Sequence, residues 1–134
     1  MDKAQALHDF WSSFGIPAFD ESTVPEKIWD EELQKEVELK PPYITYAVAE
    51  GSLDGIILLS ASVWYHGYGW SEISKKVSEI AEKLGSEGFC SVKVDGGYLW
   101  MTQGTPFAQR MSDPEDDMIR RYILTINAEF LTAY

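Results

Sequence analysis

Residues Ile56–Leu84 read IILLSASVWYHGYGWSEISKKVSEIAEKL, and this stretch decides the fold. Its first half alternates with a period of two, which predicts a β-strand. One face of this strand would carry Ile57, Leu59, Ala61, Val63 and Tyr65, and the other Ile56, Leu58, Ser60, Ser62, Trp64 and His66. Both faces hold large apolar groups. Such a strand is either central in a sheet covered on both sides, or it keeps one face for a partner chain.

The second half of the stretch predicts an amphipathic helix. Its apolar residues recur at spacings of three and four and form one buried stripe: Ile73, Val77, Ile80, Ala81 and Leu84. A second helix is predicted over Asp2–Phe14, where Leu7, Phe10, Trp11 and Phe14 share a face and Gly15 with Pro17 ends the pattern. These rings either dock on the sheet or bind a partner.

Residues 16–42 are acidic and have little periodicity. Eight carboxylates and two lysines lie between Asp20 and Glu38, and Pro41–Pro42 closes the stretch. A short helix over Glu26–Lys35 would have only a narrow apolar stripe. We therefore expect an acidic connection or arm over residues 16–42, ordered against a neighbour.

The remaining segments predict strands. These strands cover Tyr43–Ala49, Phe89–Val94, Tyr98–Thr102 and, as a long strand, Met118–Ala133. A turn over Glu50–Gly55 leads into the Ile56 strand, a hairpin turn lies at Asp95–Gly97, and an exposed loop is predicted over Gly104–Asp117. The element order is α-β-β-α-β-β-β. The sequence thus predicts a single α+β domain over residues 1–134, with an antiparallel or mixed sheet of about five strands on which the N-terminal and middle helices pack.

Composition restricts the function classes. The chain of 134 residues carries 22 acidic and 11 basic side chains, a net charge of −11, so sequence-specific binding of nucleic acid or binding to an anionic membrane is disfavoured. Passage of DNA along an acidic wall is compatible with this charge. Cys90 is the only cysteine, which we interpret as a small buried side chain. There is no apolar run of membrane-spanning length and no signal pattern, so we expect a protein that stays in the cytoplasm or in something assembled there.

Motifs for catalysis or cofactor binding are weak. His8 and His66 have no further ligands at metal-binding spacing, and Gly67 and Gly69 are followed by Trp70 rather than by the lysine of a phosphate loop. The acids Asp113, Glu115, Asp116 and Asp117 do not follow a calcium-loop spacing and indicate a solvated run. We therefore expect no enzyme activity, no metal and no cofactor.

An aromatic cluster follows the central strand: Trp64, Tyr65, His66, Tyr68 and Trp70. Three interpretations remain open for it: core packing, a protein contact surface and a ligand pocket. Trp and Tyr are favoured at the centres of protein interfaces, which supports the second.

Ordered motifs along nearly the whole chain resemble one family. They are FWSSFGIPAF from Phe10, TVPEK from Thr23, PPYITY from Pro41, SASVWYHGYGW from Ser60, VDGGYLWMTQGTPFAQRMSDPEDD from Val94, and IRRYILTINAEFL from Ile119. In this order and spacing the sequence resembles the tail terminator proteins of long-tailed phages, the tail-completion or tail-to-head joining family. The acidic segment Glu26–Lys40 is longer than the resemblance implies.

The resemblance implies a small α+β subunit that forms a homo-oligomeric ring, commonly a hexamer. Such a ring caps the tail tube, stops its polymerisation and meets the head connector. The implied partners are other copies of the chain, the major tail tube protein and the head-completion protein, with DNA only passing through and no membrane. The implied location is the virion tail, assembled in the cytoplasm of a bacterial host.

From these expectations we assign interface residues Trp64, His66, Tyr68, Trp70, Phe107, Arg110 and Met111, and acidic lumen candidates Asp113, Glu115, Asp116 and Asp117. Two other classes stay open. One is an acidic DNA mimic that inhibits a nuclease or repressor, which requires carboxylates spaced along one face. The other is a small ligand-binding domain or enzyme that uses His66 and the surrounding rings, which requires a deep pocket and a polar partner for His66.

Overall fold

The computed structural model describes residues 2–47, 57–85, 90–111, 113 and 115–132. Its elements are α1 (Lys3–Ser12), β1 (Ala18–Asp20), β2 (Lys27–Asp30), β3 (Lys35–Glu38), β4 (Tyr43–Tyr46), β5 (Ile57–His66), α2 (Ser71–Gly85), β6 (Cys90–Val94), β7 (Gly97–Met111) and β8 (Ile119–Thr132). The predicted turn over Glu50–Gly55 and most of the loop after α2 lie outside the described residues.

Six strands form one mixed sheet in the order β1-β4-β5-β8-β7-β6. β1 runs parallel to β4, and every other neighbouring pair in the sheet is antiparallel. The α+β class is therefore confirmed. The prediction of about five strands found β4 to β8 but missed β1 and the separate hairpin of β2 and β3.

Both helices pack on the same face of the sheet and form one core with it. α1 buries Leu7, Phe10 and Trp11, and its start is capped by Asp2, whose Oδ1 accepts a hydrogen bond from the backbone N–H of Gln5 at 2.8 Å. α2 buries the predicted stripe Ile73, Val77, Ile80 and Leu84. The strands supply the facing residues Ile44, Leu59, Ala61, Val63, Met101, Leu124, Ile126 and Ala128. Docking of the α1 rings on the sheet is thus confirmed.

Residues 16–42 contain β1, β2 and β3, so this stretch has more regular structure than the connection or arm we expected, and the short helix considered over Glu26–Lys35 does not form. β2 and β3 pair from Lys27 with Glu38 to Asp30 with Lys35. The turn between them is stabilised by Asp30, whose Oδ1 accepts hydrogen bonds from the backbone N–H groups of Glu32 and Leu33. Gln34 adopts a left-handed conformation with φ 53°. This local hydrogen bonding competes with helix formation.

The predicted loop over Gly104–Asp117 is also wrong in its first half, because β7 continues to Met111. Its pairing with β8 shifts between Gln103 and Ala108, where the strand contains extra residues. Gly104 lies so close to Thr125 of β8 that no side chain fits there. The predicted hairpin turn at Asp95–Gly97 is confirmed, with Gly96 at φ 83°.

Candidate interaction surface

One face of the six-stranded sheet is packed by the helices, and within the described part of the chain no helix covers the other face. We call this second face the outer face. Alternation from the buried residues of each strand assigns to it Phe19, Tyr43, Thr45, Leu58, Ser60, Ser62, Trp64, His66, Ser91, Lys93, Tyr98, Trp100, Thr102, Gln109, Met111, Ile119, Arg121, Ile123, Thr125, Asn127, Glu129 and Leu131. Of the two interpretations of the central strand, a face kept for a partner agrees with this geometry.

A row of rings crosses the outer face near one end of β5. Phe19 lies 6.2 Å from Tyr43, and Tyr43 lies 6.2 Å from Trp64, measured between ring centroids. On the other side of Trp64, in the neighbouring strand β8, the guanidinium of Arg121 lies 4.4 Å from the centroid of the Trp64 ring, a cation–π geometry. Burial raises the pKa of the Tyr43 hydroxyl above its usual value. The row therefore forms a continuous, half-buried apolar surface.

Hydrogen bonds to neighbouring Thr and Ser hydroxyls fix the side chains of Trp64 and Arg121 in this row. Trp64 Nε1 donates to Thr45 Oγ1 at 2.9 Å, and Arg121 Nε donates to Ser62 Oγ at 3.1 Å. Ser62 is buried although it belongs to the outer face, because Trp64 and Arg121 lie beside it on the flanking positions. The two large side chains are thus oriented before any partner arrives, which lowers the entropic cost of binding.

The outer face contains few carboxylates. Its charged residues are Glu129, Arg121 and Lys93, whereas the chain as a whole has 22 acidic and 11 basic residues. Leu58, 68% exposed, and Leu131 add apolar surface. Interface centres are likewise poor in charge and rich in aromatic and arginine side chains.

Trp70 lies on the opposite side of the sheet from Trp64. It packs against the core and makes an edge contact with Tyr122 at 5.6 Å, with the guanidinium groups of Arg110 and Arg120 at 4.7 and 5.3 Å. Hydrogen bonds from Ser74 and from Arg110 Nε, together with the Arg110 charge, lower the pKa of the Tyr122 hydroxyl. The structure thus separates Trp70 and Arg110 from Trp64 and Met111, which lie on the outer face.

His66 and Tyr68 border a pocket of about 450 Å³ between the end of β5 and the start of α2. His66 Nε2 lies 3.3 Å from an Asp116 carboxylate oxygen, and both side chains are about half exposed. Arg120 donates to the backbone carbonyl of Tyr68, whose side chain is 89% exposed. His66 therefore has the polar partner that a ligand-binding role requires, but its pocket is open at the surface.

The other predicted residues have separate environments. Phe107 packs against the core, and Met111 is exposed on the outer face. Asp113 and Asp116 accept hydrogen bonds from nearby backbone N–H groups, whereas Glu115 and Asp117 are exposed. Among the residues that the structure describes, no group of three or more His, Cys, Asp or Glu side chains is placed to hold a metal ion.

A DNA mimic requires a row of carboxylates. The exposed acids of α2 are interspersed with cations, since Lys76 pairs with Glu79 at 3.0 Å and Lys75 and Lys83 belong to the same helix. Among the residues that the structure describes, the outer face carries a single carboxylate, Glu129. The hairpin of β2 and β3 and the 113–117 segment are the acid-rich surfaces of the described chain.

Sequence reasoning missed Phe19, Tyr43 and Arg121. Tyr43 and Arg121 occupy the positions on either side of Trp64, 21 and 57 residues away along the chain. Their proximity depends on strand order and register, which the sequence pattern did not specify. The strand alternation around Tyr43 was the one available signal.

No family model matches the sequence, and no curated protein or solved structure shows significant similarity to it. Within the described ranges, no helix is both long and apolar enough to cross a membrane.

Proposed function

We propose that this chain is a structural assembly protein that forms a homo-oligomeric ring, of the kind that terminates a phage tail tube and joins it to the head. The observation that carries the proposal is the outer face, which is aromatic, nearly free of carboxylates and uncovered in the single chain. No enzyme activity or cofactor enters the proposal.

Charge explains why self-association would use this face. Each subunit carries a net charge of −11, so two copies repel each other over roughly a Debye length, about 10 Å at 0.1 M salt. Close contact is least unfavourable where carboxylates are sparse and apolar surface is available. The row of Tyr43, Trp64 and Arg121 meets both conditions.

The ordered motifs that resemble tail terminators give the particular assembly. They support a ring, commonly of six subunits, that contacts the major tail tube protein on one side and the head connector on the other. Asp113, Glu115, Asp116 and Asp117 would then contribute negative charge to a lumen through which DNA passes without adhering.

A matched pair of variants tests the assembly step. Ser60 on the outer face and Ser78 on α2 are both exposed, so Ser60→Glu and Ser78→Glu add the same charge to opposite sides of the molecule. We expect Ser60→Glu to weaken ring formation at least tenfold and Ser78→Glu to leave it unchanged, measured by light scattering coupled to size-exclusion chromatography. Equal effects of the two changes, with both variants folded, would contradict the assignment of the outer face.

Tail preparations test the biological role. Electron microscopy of particles made without this gene should show tubes of irregular length that lack heads, and added wild-type protein should restore uniform capped tails. Tubes of normal length attached to heads in the deletion would refute the role in tail termination. Because some rings form only on the tube, the same variants should also be compared in this assay.

A further inference from the structure

The β2–β3 hairpin is a separate two-stranded sheet with apolar side chains on its surface. Trp29 is 54% exposed and Leu33, in the turn, is 58% exposed. A two-stranded hairpin is marginally stable in water by itself. Large exposed apolar groups on such an element indicate a surface that becomes covered in an assembly.

The hairpin is also strongly acidic. Residues 26–38 contain two lysines and six carboxylates, namely Glu26, Asp30, Glu31, Glu32, Glu36 and Glu38. Glu36 is directly opposite Trp29 in the strand pairing, and Glu38 and its strand partner Lys27 are on the same face. The hairpin thus presents an apolar anchor directly opposite Glu36, on a face whose strand positions hold two carboxylates and one lysine.

The outer face has the complementary character. Arg121 and Lys93 outnumber its single carboxylate, Glu129, and the Trp64 row offers apolar surface next to Arg121. Within the described residues, no carboxylate lies at salt-bridge distance from Arg121. An arginine stacked on an aromatic ring with its outer nitrogens available is well suited to bind a carboxylate.

We infer that the β2–β3 hairpin of one copy docks on the outer face of a second copy, with Trp29 against the Trp64 row and Glu36 near Arg121. This inference rests on the proposed ring function and specifies its contact. Trp29 and Leu33 are exposed in the single chain, so these two side chains are not packed on the outer face of their own chain.

The geometry of such a contact determines the type of assembly. The hairpin and the outer face are different surfaces, so each copy donates one and offers the other. Contacts of this head-to-tail kind generate rings when the rotation between copies closes. A contact of the outer face with itself would instead give a two-fold dimer.

Photo-crosslinking tests the contact directly. A benzophenone amino acid replaces Leu33, the chain is mixed with isotopically labelled wild-type chain, and crosslinked peptides are mapped by mass spectrometry, in solution and on tail tubes. We expect crosslinks between chains to peptides of β4, β5 or β8. Crosslinks to α2, to the tube protein alone, or to no second copy in either condition would overturn the inference.

Paired substitutions separate this inference from the proposed function. Trp29→Ala should weaken assembly by about tenfold or more, as expected for an interface tryptophan. Glu36→Arg and Arg121→Glu should each weaken it, and the double variant should recover at least half of the combined loss on a logarithmic scale. Ser78→Glu changes an exposed α2 residue outside both surfaces and should have no effect.

The outcomes distinguish the two proposals. If rings form and cap tubes but tolerate Trp29→Ala and the charge reversals, the hairpin contact is wrong and the ring function stands. If wild-type chains neither form rings nor cap tubes, the ring function is wrong, and the absence of crosslinks between chains then refutes the hairpin contact as well.

Discussion

Gly104→Ala should destabilise the protein by about 2 kcal/mol, because the added Cβ has no space. It would lie 2.7 Å from Thr125 Cγ2 and 2.8 Å from the Thr125 carbonyl oxygen. Ordinary contacts begin at 3.4 Å, so β7 and β8 would have to separate by about half an ångström at this point. Overpacking of a rigid site costs ~1–3 kcal/mol. Backbone atoms cannot rotate away, which places the cost in the upper part of this range, and the lower chain entropy of alanine offsets ~0.4–1 kcal/mol.

Urea unfolding measures this effect. With an m-value of ~2 kcal/mol/M, a loss of ~2 kcal/mol lowers the midpoint by about 1 M. The tryptophans report the transition, since Trp11 is buried in the core. Gly69→Ala is the matched control, because a Cβ at Gly69 meets no atom within 4 Å, and its free energy of unfolding should stay within ~0.5 kcal/mol of wild type.

A second substitution locates the cause. Thr125→Ser removes the Cγ2 methyl group but leaves the carbonyl oxygen 2.8 Å from the new Cβ. In the Gly104→Ala background it should therefore restore only part of the lost stability. If Gly104→Ala unfolds at the same midpoint as Gly69→Ala, the close approach of β7 to β8 at this point is refuted.

Three further predictions concern the core and the buried titratable groups. Leu124→Ala should cost ~2–5 kcal/mol because Leu124 is fully buried, whereas Leu58→Ala should change the free energy of unfolding by less than ~0.5 kcal/mol, and equal midpoints in urea would contradict the assigned faces. Burial raises the folded-state pKa of Tyr43 and Tyr65 above the ordinary value of 10.0. The contribution of these two groups to stability is complete below the unfolded-state pKa and is lost as the pH rises through the folded-state pKa. Urea midpoints should therefore fall above pH 10, and they should fall less in Tyr65→Phe. Burial also raises the pKa of the Cys90 thiol, so its reaction with a disulfide reagent at pH 8 should be at least about tenfold slower in the folded than in the urea-unfolded chain; equal rates would show that the thiol is accessible.

The sequence pattern predicted the elements that have one buried face and one face towards solvent. In β5, Leu59, Ala61 and Val63 are buried as their alternation indicated, and α2 buries its stripe. The pattern is strong there because each residue has one apolar environment and one aqueous environment to choose between. The strand over β8 was predicted for the same reason.

The prediction was wrong where local hydrogen bonds or irregular pairing decide the structure. The β2–β3 turn depends on backbone donors to Asp30, and its strands bury little, so periodicity was weak. In β7 the residues from Gly104 to Phe107 interrupt the register with β8, and the alternation continues beyond them with a shifted phase. A period-two pattern cannot bridge such an insertion.

The candidate site was predicted in part. Trp64 lies on the outer face as the interface interpretation requires, but Trp70 does not. The two residues are six positions apart, so a continuous strand would have placed both on the same face. β5 ends at His66, and the turn that follows brings Trp70 to the start of α2 on the helix side. The glycines at 67 and 69 mark this change of direction, so the end of the period-two alternation after His66 could be predicted from the sequence. The side of the sheet on which Trp70 lies could not.

Charge distribution is the property of the outer face that links sequence to assembly. In a chain with twice as many acids as bases, a sheet face whose described residues include a single carboxylate, Glu129, is unexpected unless something excludes others. Folding does not require this, because outer-face positions such as Leu58 and Ser60 are exposed to solvent in the single chain. The alternate positions of β5 from Leu58 to Trp64 nevertheless carry no charge, while residues 26–38 of the hairpin contain six carboxylates and an exposed tryptophan. The scarcity of acids on the outer face and their abundance on the hairpin are both explained if these two surfaces meet between copies. A carboxylate buried in that contact without a partner would cost several kcal/mol.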